Sequence, residues 1–126
     1  MIEVINRQKK HPIPAARFKR MLERLAEHYG KKDADMTLVF CGRDAIRTLN
    51  RKYRKKDVPT DVLSFPIGNT AGNGRFYLGD IVIAVPVAFR QGREKGHGLT
   101  KEIEVLMVHS FIHLLGYDHS DAMDRE

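Results

Sequence analysis

The segment KEIEVLMVHSFIHLL, residues 101–115, constrains the fold more than any other stretch of the chain. Ile103, Leu106, Met107, Phe111 and Leu114 recur at helical spacing and make one apolar face, while Val105, Val108, Ile112 and Leu115 widen it almost to the full circumference. A helix this apolar has no broad polar side to turn to water. It belongs at the centre of a domain, with other elements packed around it.

The rest of the chain supplies those elements. Residues 14–30 place Phe18, Met21, Leu22, Leu25 and Tyr29 three and four apart, which predicts an amphipathic helix, with Pro14 in its first turn and Gly30 at its C-terminal cap. Met36–Cys41 (MTLVFC) predicts a mostly buried strand. Arg43–Arg54 predicts a helix with Ile46, Leu49 and Tyr53 on one face. VLSFP predicts a strand ended by Pro66, IGNTAGNGR (67–75) a mobile turn, Tyr77–Val85 a strand interrupted at Gly79 and Asp80, and Val87–Lys95 a helix followed by a break at GHGLT. Alternating helices and strands over 126 residues fit one α/β or α+β domain, a mixed sheet covered by helices.

No apolar run reaches the ~20 residues of a membrane span, and the N-terminal MIEVINRQKK lacks the apolar core of a signal peptide. The single cysteine, Cys41, forms no internal disulfide. These features point to a soluble cytoplasmic protein with no membrane partner. The 22 Lys and Arg against 16 Asp and Glu leave a net charge of +6, which draws a domain towards polyanions, nucleic acid first among them.

Three of the six histidines sit at the end of the apolar segment, in HSFIHLLGYDH. His109 and His113, four apart, project from one side of the helix, with Glu102 on roughly that side two turns earlier. Gly116 stops the helix and lets the chain turn back, bringing His119 within reach. Three neutral imidazoles leave a tetrahedral Zn²⁺ with one open position, the pattern of a catalytic zinc; nickel, copper or iron would also accept such ligands. The spacing His-x3-His-x2-Gly-x2-His is similar to that of the metzincin proteases, which carry Glu after the first histidine as general base. Ser110 stands there instead, so the peptidase mechanism lacks its central group. Asp118 either orients His119 or is a turn residue bonding its own backbone.

The stretch HSFIHLLGYDH, together with LNRKYRKKD (49–57), PTDVLSFP (59–66) and LGDIVI (78–83), resembles the bacterial YbeY family, in the same order and with similar gaps from about Val39 to Asp121. The resemblance implies a metal-dependent endoribonuclease specific for single strands, acting in ribosomal RNA maturation and ribosome quality control. It implies a single domain over residues 1–126, with a four-stranded mixed sheet and about four to five helices around the metal-binding helix. One zinc per chain would be held by His109, His113 and His119, and a functional arginine of the family falls on Arg54, so Arg54 and His109 are the expected catalytic residues. Partners would be single-stranded or ribosomal RNA, with the small ribosomal subunit or assembly factors. Two departures stand out. Ser110 replaces the usual glycine, which implies altered packing or a new hydrogen bond and no loss of metal. The chain ends at Glu126, where relatives continue into an acidic tail.

Arg54 would meet the phosphate, and Arg51, Lys52, Lys55 and Lys56 its neighbours. Phe65, Tyr77 and Tyr117 are candidate base-stacking residues or core aromatics, His97 reads as a loop residue, and Asp80 as a structural polar group at the sheet. A metzincin-like peptidase and a non-catalytic RNA-binding assembly module with a structural metal are the competing readings.

Overall fold

The structure is a computed structural model that describes residues 1–116. Its frame is a mixed four-stranded sheet ordered β1-β2-β4-β3, built from β1 (Ile2–Asn6), β2 (Asp35–Cys41), β3 (Val62–Thr70) and β4 (Phe76–Ala84). β1 and β4 both run parallel to β2, and β3 pairs antiparallel with β4 and forms one edge. Among the described residues the helices are α1 (Ala15–His28), α2 (Arg43–Arg54), α3 (Val85–Lys95) and α4 (Gly98–Leu114).

Alternation along the two central strands explains why they read as continuous apolar runs. Met36, Leu38 and Phe40 of β2, with Ile81 and Ile83 of β4, turn to one face, where Phe18 and Leu22 of α1 and Ile103, Met107 and Phe111 of α4 meet them. Cys41, Val82 and Ala84 turn to the other, under Ile46 of α2 and Val87 of α3. Each fully buried large side chain contributes about 1.5–3 kcal/mol through the water-exposed area it loses.

α4 buries Ile103, Leu106, Met107, Phe111 and Leu114 as the spacing requires. Its solvent side leaves Val105, Val108 and Ile112 half-buried and His109 and His113 exposed, so the central helix has one wet edge. It also starts earlier than the glycines suggest. Gly98 and Leu99 already belong to it, after the αL cap of α3 at Gly96. α3 and α4 cross so closely that a Cβ on Gly92 would stand 2.4 Å from the Gly98 carbonyl oxygen.

One strand is added to those read from the sequence, and two sequence expectations, for Pro66 and for the turn after it, are corrected. Ile2–Asn6 is a strand, paired Ile2↔Met36 through Asn6↔Phe40, although its five residues are too short to announce themselves. Pro66 does not end β3. The strand shifts register between Pro66 and Asn69 and continues to Thr70, which an edge position permits because no ladder hydrogen bond is lost outward. The turn is therefore confined to Ala71–Arg75, closed by the Ala71 amide donating to the Arg75 carbonyl at 2.8 Å. Arg75 also reaches across to Asp35 at the start of β2, with Nη2 2.6 Å from Oδ1. Hydrogen bonding from Arg75 first, then the chain's amino group, holds the Asp35 carboxyl well below the usual carboxylate range. Among the described residues no helix is long and apolar enough to cross a membrane.

Candidate functional site

β3 is an edge strand, and α2 and α4 lie on opposite faces of the sheet beside it. An open cavity of about 470 Å³ forms at that edge. Tyr53 and Arg54 of α2 wall one side, Val62 to Phe65 of β3 line it, and His113 of α4 completes it. Arg54 and His113 come from distant parts of the chain, so only the fold brings them to one cavity.

The end of α2 is held in place by its own residues. Lys55 adopts the αL conformation (φ 58°) and caps the helix by donating its amide to Arg51. Buried Asn50 donates its side-chain amide to the Val58 carbonyl at 2.9 Å, and Arg47 grips Asp57 through Nε at 2.9 Å. The strap 55–58 is thereby pinned to α2, and Arg54 leaves the last turn towards the cavity. Arg51, Lys52, Lys55 and Lys56 are all exposed around it. Hydrogen bonding from Arg47 lowers the Asp57 carboxyl, keeping this small acidic group ionised and committed to its arginine.

His109 is one helical turn before His113 on the exposed strip of α4, but it lines a different, smaller cavity of about 260 Å³ with Met21 of α1 and Lys101 and Glu104. The two imidazoles are thus presented side by side on the wet edge of α4, as their spacing requires. His119, Asp118 and Tyr117 lie outside the described residues. Among the described residues no set of three His, Cys, Asp or Glu side chains is gathered to hold a metal. The donor chemistry present, two solvent-facing imidazoles at i and i+4 that line neighbouring cavities, suits a borderline metal ion such as Zn²⁺ that still needs a further ligand.

Ser110 turns the other way. It is 2% exposed and its Oγ has no hydrogen-bond partner, so the expected new hydrogen bond is not made. A hydroxyl facing the core cannot take the place of a general base in the cleft.

Glu102 is fully buried and does not join the imidazoles. Its Oε2 accepts from Lys95 Nζ at 3.0 Å, and its Oε1 pairs with His97 Nε2 at 2.6 Å. The Gln91 amide, with its nitrogen facing the carboxylates, donates to Glu102 at 2.9 Å and to Asp61 at 3.2 Å. Asp61 in turn accepts the Val62 amide at 2.7 Å, at the head of β3. This chain of polar groups ties α3 and α4 to the start of the strand that lines the cavity. Burial alone would raise the Glu102 carboxyl, but hydrogen bonds and charge from Lys95 and His97 outweigh it and leave it lowered. His97, a loop residue by sequence, is therefore a partner of a buried carboxylate.

The aromatic expectations divide. Phe65 is half-buried and lines the cavity. Tyr77 is tied up instead, its hydroxyl bonded to Asp80 and, at 2.5 Å, to Thr37. Tyr53, assigned by helical spacing to the apolar face of α2, is 56% exposed. Ile46 and Leu49 fill that face, and the residue one further turn along runs past the edge of the sheet. Its role as a cavity wall could have been suspected only from its adjacency to Arg54.

The fold and the cavity define a basic α/β protein in which an arginine and a histidine line one cleft, a pairing whose chemistry suits anionic groups. The family description Endoribonuclease YbeY matches residues 3–126, and the chain belongs to the YbeY family. It is 41% identical over 123 residues to Endoribonuclease YbeY of Aquifex aeolicus, covering 98% of this chain and 81% of that one. Against Endoribonuclease YbeY of Anaeromyxobacter dehalogenans the identity is 38%, covering 96% of this chain but 64% of the longer relative. The fold is similar to a solution structure of a Thermotoga maritima protein, with a TM-score of 0.65, 28% identity, and 94% and 75% of the two chains covered.

Proposed function

We propose that this protein is a zinc-dependent endoribonuclease that cleaves single-stranded RNA in ribosomal RNA maturation and ribosome quality control, at the cavity shared by Arg54 and His113. The observation that carries the reading is that shared cavity, in a chain whose family is described as endoribonuclease. His109 and His113 would hold the zinc together with His119, and nickel or another transition metal would fit the same donors. Bound there, the metal supplies a Lewis acid and a bound water of lowered pKa.

The chain's own residues do the rest. Arg54 offers a planar fork of donors to the phosphate whose charge grows during cleavage. Arg51, Lys52, Lys55 and Lys56 hold neighbouring phosphates in register. The Glu102–Gln91–Asp61 chain keeps the head of β3 fixed against α4, so the two walls of the cavity keep their spacing. The peptidase reading loses further support because Ser110, at the position of the peptidase base, is buried away from the cleft.

Metal analysis with a cleavage assay tests the reading. About one zinc per chain is expected, lost in His113→Ala, with chelator-sensitive cutting of single-stranded RNA. Full-rate cutting by a folded, metal-free preparation would sink zinc dependence. Tight RNA binding with no cutting at any metal loading would favour a non-catalytic assembly module instead.

A further inference from the structure

The cavity at the edge of β3 has an exposed aromatic ring that phosphate chemistry does not explain. Tyr53 is 56% exposed, and its side chain adds little to the core of α2. Its ring is nevertheless held. Phe65 meets it edge-on with centroids 5.2 Å apart and planes at 68°, and the Lys52 ammonium lies 5.1 Å from its centroid. A large ring braced against a neighbouring aromatic yet left open to water is the kind of exposed apolar surface that marks an interaction site.

Its neighbours suggest the occupant. Tyr53 is followed directly by Arg54, and both line the cavity with Phe65 and His113. In a single strand of RNA each base stands one nucleotide from the next phosphate, so a polymer whose phosphate reaches Arg54 has a base within reach of Tyr53. Cations surround the ring, and the chain carries a net charge of +6, which favours a polyanion over an apolar peptide. Bases in a duplex are already stacked on one another and cannot be offered to a side ring, whereas unpaired bases can.

We propose that Tyr53, braced by Phe65, is a base-stacking platform that seats the nucleobase next to the phosphate held by Arg54. This rests on the RNA-cleaving reading above and gives that site a reason to prefer unpaired RNA. Stacking requires a flat ring and no particular base, so the platform accepts all four bases. The tyrosine hydroxyl is dispensable.

The test uses the purified protein and a non-cleavable, 2′-O-methyl single-stranded RNA in which 2-aminopurine is moved along the strand, so that binding is measured without turnover. Tyr53→Leu should weaken binding about tenfold to a hundredfold and abolish the quenching of one 2-aminopurine position. Tyr53→Phe and Tyr53→Trp should keep affinity within about twofold and retain the quenching. An abasic site at the quenched position should erase the difference between wild type and Tyr53→Leu. Equal binding by wild type and Tyr53→Leu, in a protein whose RNA affinity still depends on Arg54, overturns the platform and leaves the nuclease reading standing. A loss in Tyr53→Phe as large as in Tyr53→Leu also overturns it, because the hydroxyl would then be the recognised group. A wild-type protein that binds no RNA overturns both.

Discussion

Gly79 of β4 and Leu114 of α4 approach so closely that a Cβ on Gly79 would stand 2.8 Å from Leu114 Cδ2, and 2.4 Å from the Phe65 carbonyl oxygen. The glycine also has φ 153°, which side chains rarely adopt. The LGD stretch is thus the point at which the last turn of α4, carrying His113, is let down onto the sheet beside β3.

Gly79→Ala should therefore destabilise the fold by about 2–4 kcal/mol, combining overpacking with an unfavourable φ. Urea denaturation measures this directly. The carbonyl of Phe65 is backbone and cannot swing aside, so shrinking Leu114 to valine should restore only part of the loss.

Ser110 should tolerate, and even welcome, loss of its hydroxyl. A buried donor without a partner costs about 1 kcal/mol or more, so Ser110→Ala should raise stability by about that amount and the melting temperature by about 4 °C. Ser110→Gly should come out near neutral, since glycine inside a helix costs about 1 kcal/mol relative to alanine. Calorimetry on the three proteins distinguishes these outcomes, and zinc content should be the same in all of them.

Glu102 should make the protein acid-sensitive. Its folded pKa is depressed below the ordinary 4.5, so its contribution is complete above that pH and drains away as pH falls through the lowered folded value. Glu102→Gln should lower stability by about 1–3 kcal/mol at neutral pH and flatten the stability curve below pH 4.5. Denaturant titrations at a series of pH values provide both numbers. An unchanged acid limb would mean that Lys95 and His97 do not hold the carboxylate in solution.

Arg54→Ala should reduce kcat/KM on single-stranded RNA about a hundredfold while leaving the melting temperature unchanged, because Arg54 is exposed and packs against little. Arg54→Lys should recover only part of this, since an ammonium cannot replace a planar fork. With five cations on phosphates, the salt dependence of binding should have a slope of about −3.5, shallower by about 0.7 for each Lys→Ala. Fluorescence anisotropy at several salt concentrations reads the slope.

The sequence by itself determined the elements with strong periodicity: α1, α2, β2, β4 and the apolar α4, because side chains repeating every 3.6 or 2 residues leave one way to bury them. It also determined that His109 and His113 share one side of a helix, a matter of local geometry. β1 escaped notice because five residues carry too little pattern, and the strand exists only because β2 offers it a parallel neighbour. The passage of β3 through Pro66 depends on its being the edge strand, which no local residue states. The cavity itself belongs to the tertiary structure. Arg54 and Tyr53 of α2 and His113 of α4 come to one cavity only because both helices flank the edge strand β3 from opposite faces of the sheet. Burial of Glu102, exposure of Tyr53 and the inward turn of Ser110 were decided in the same way, by what packs against each helix face rather than by the spacing of residues along it.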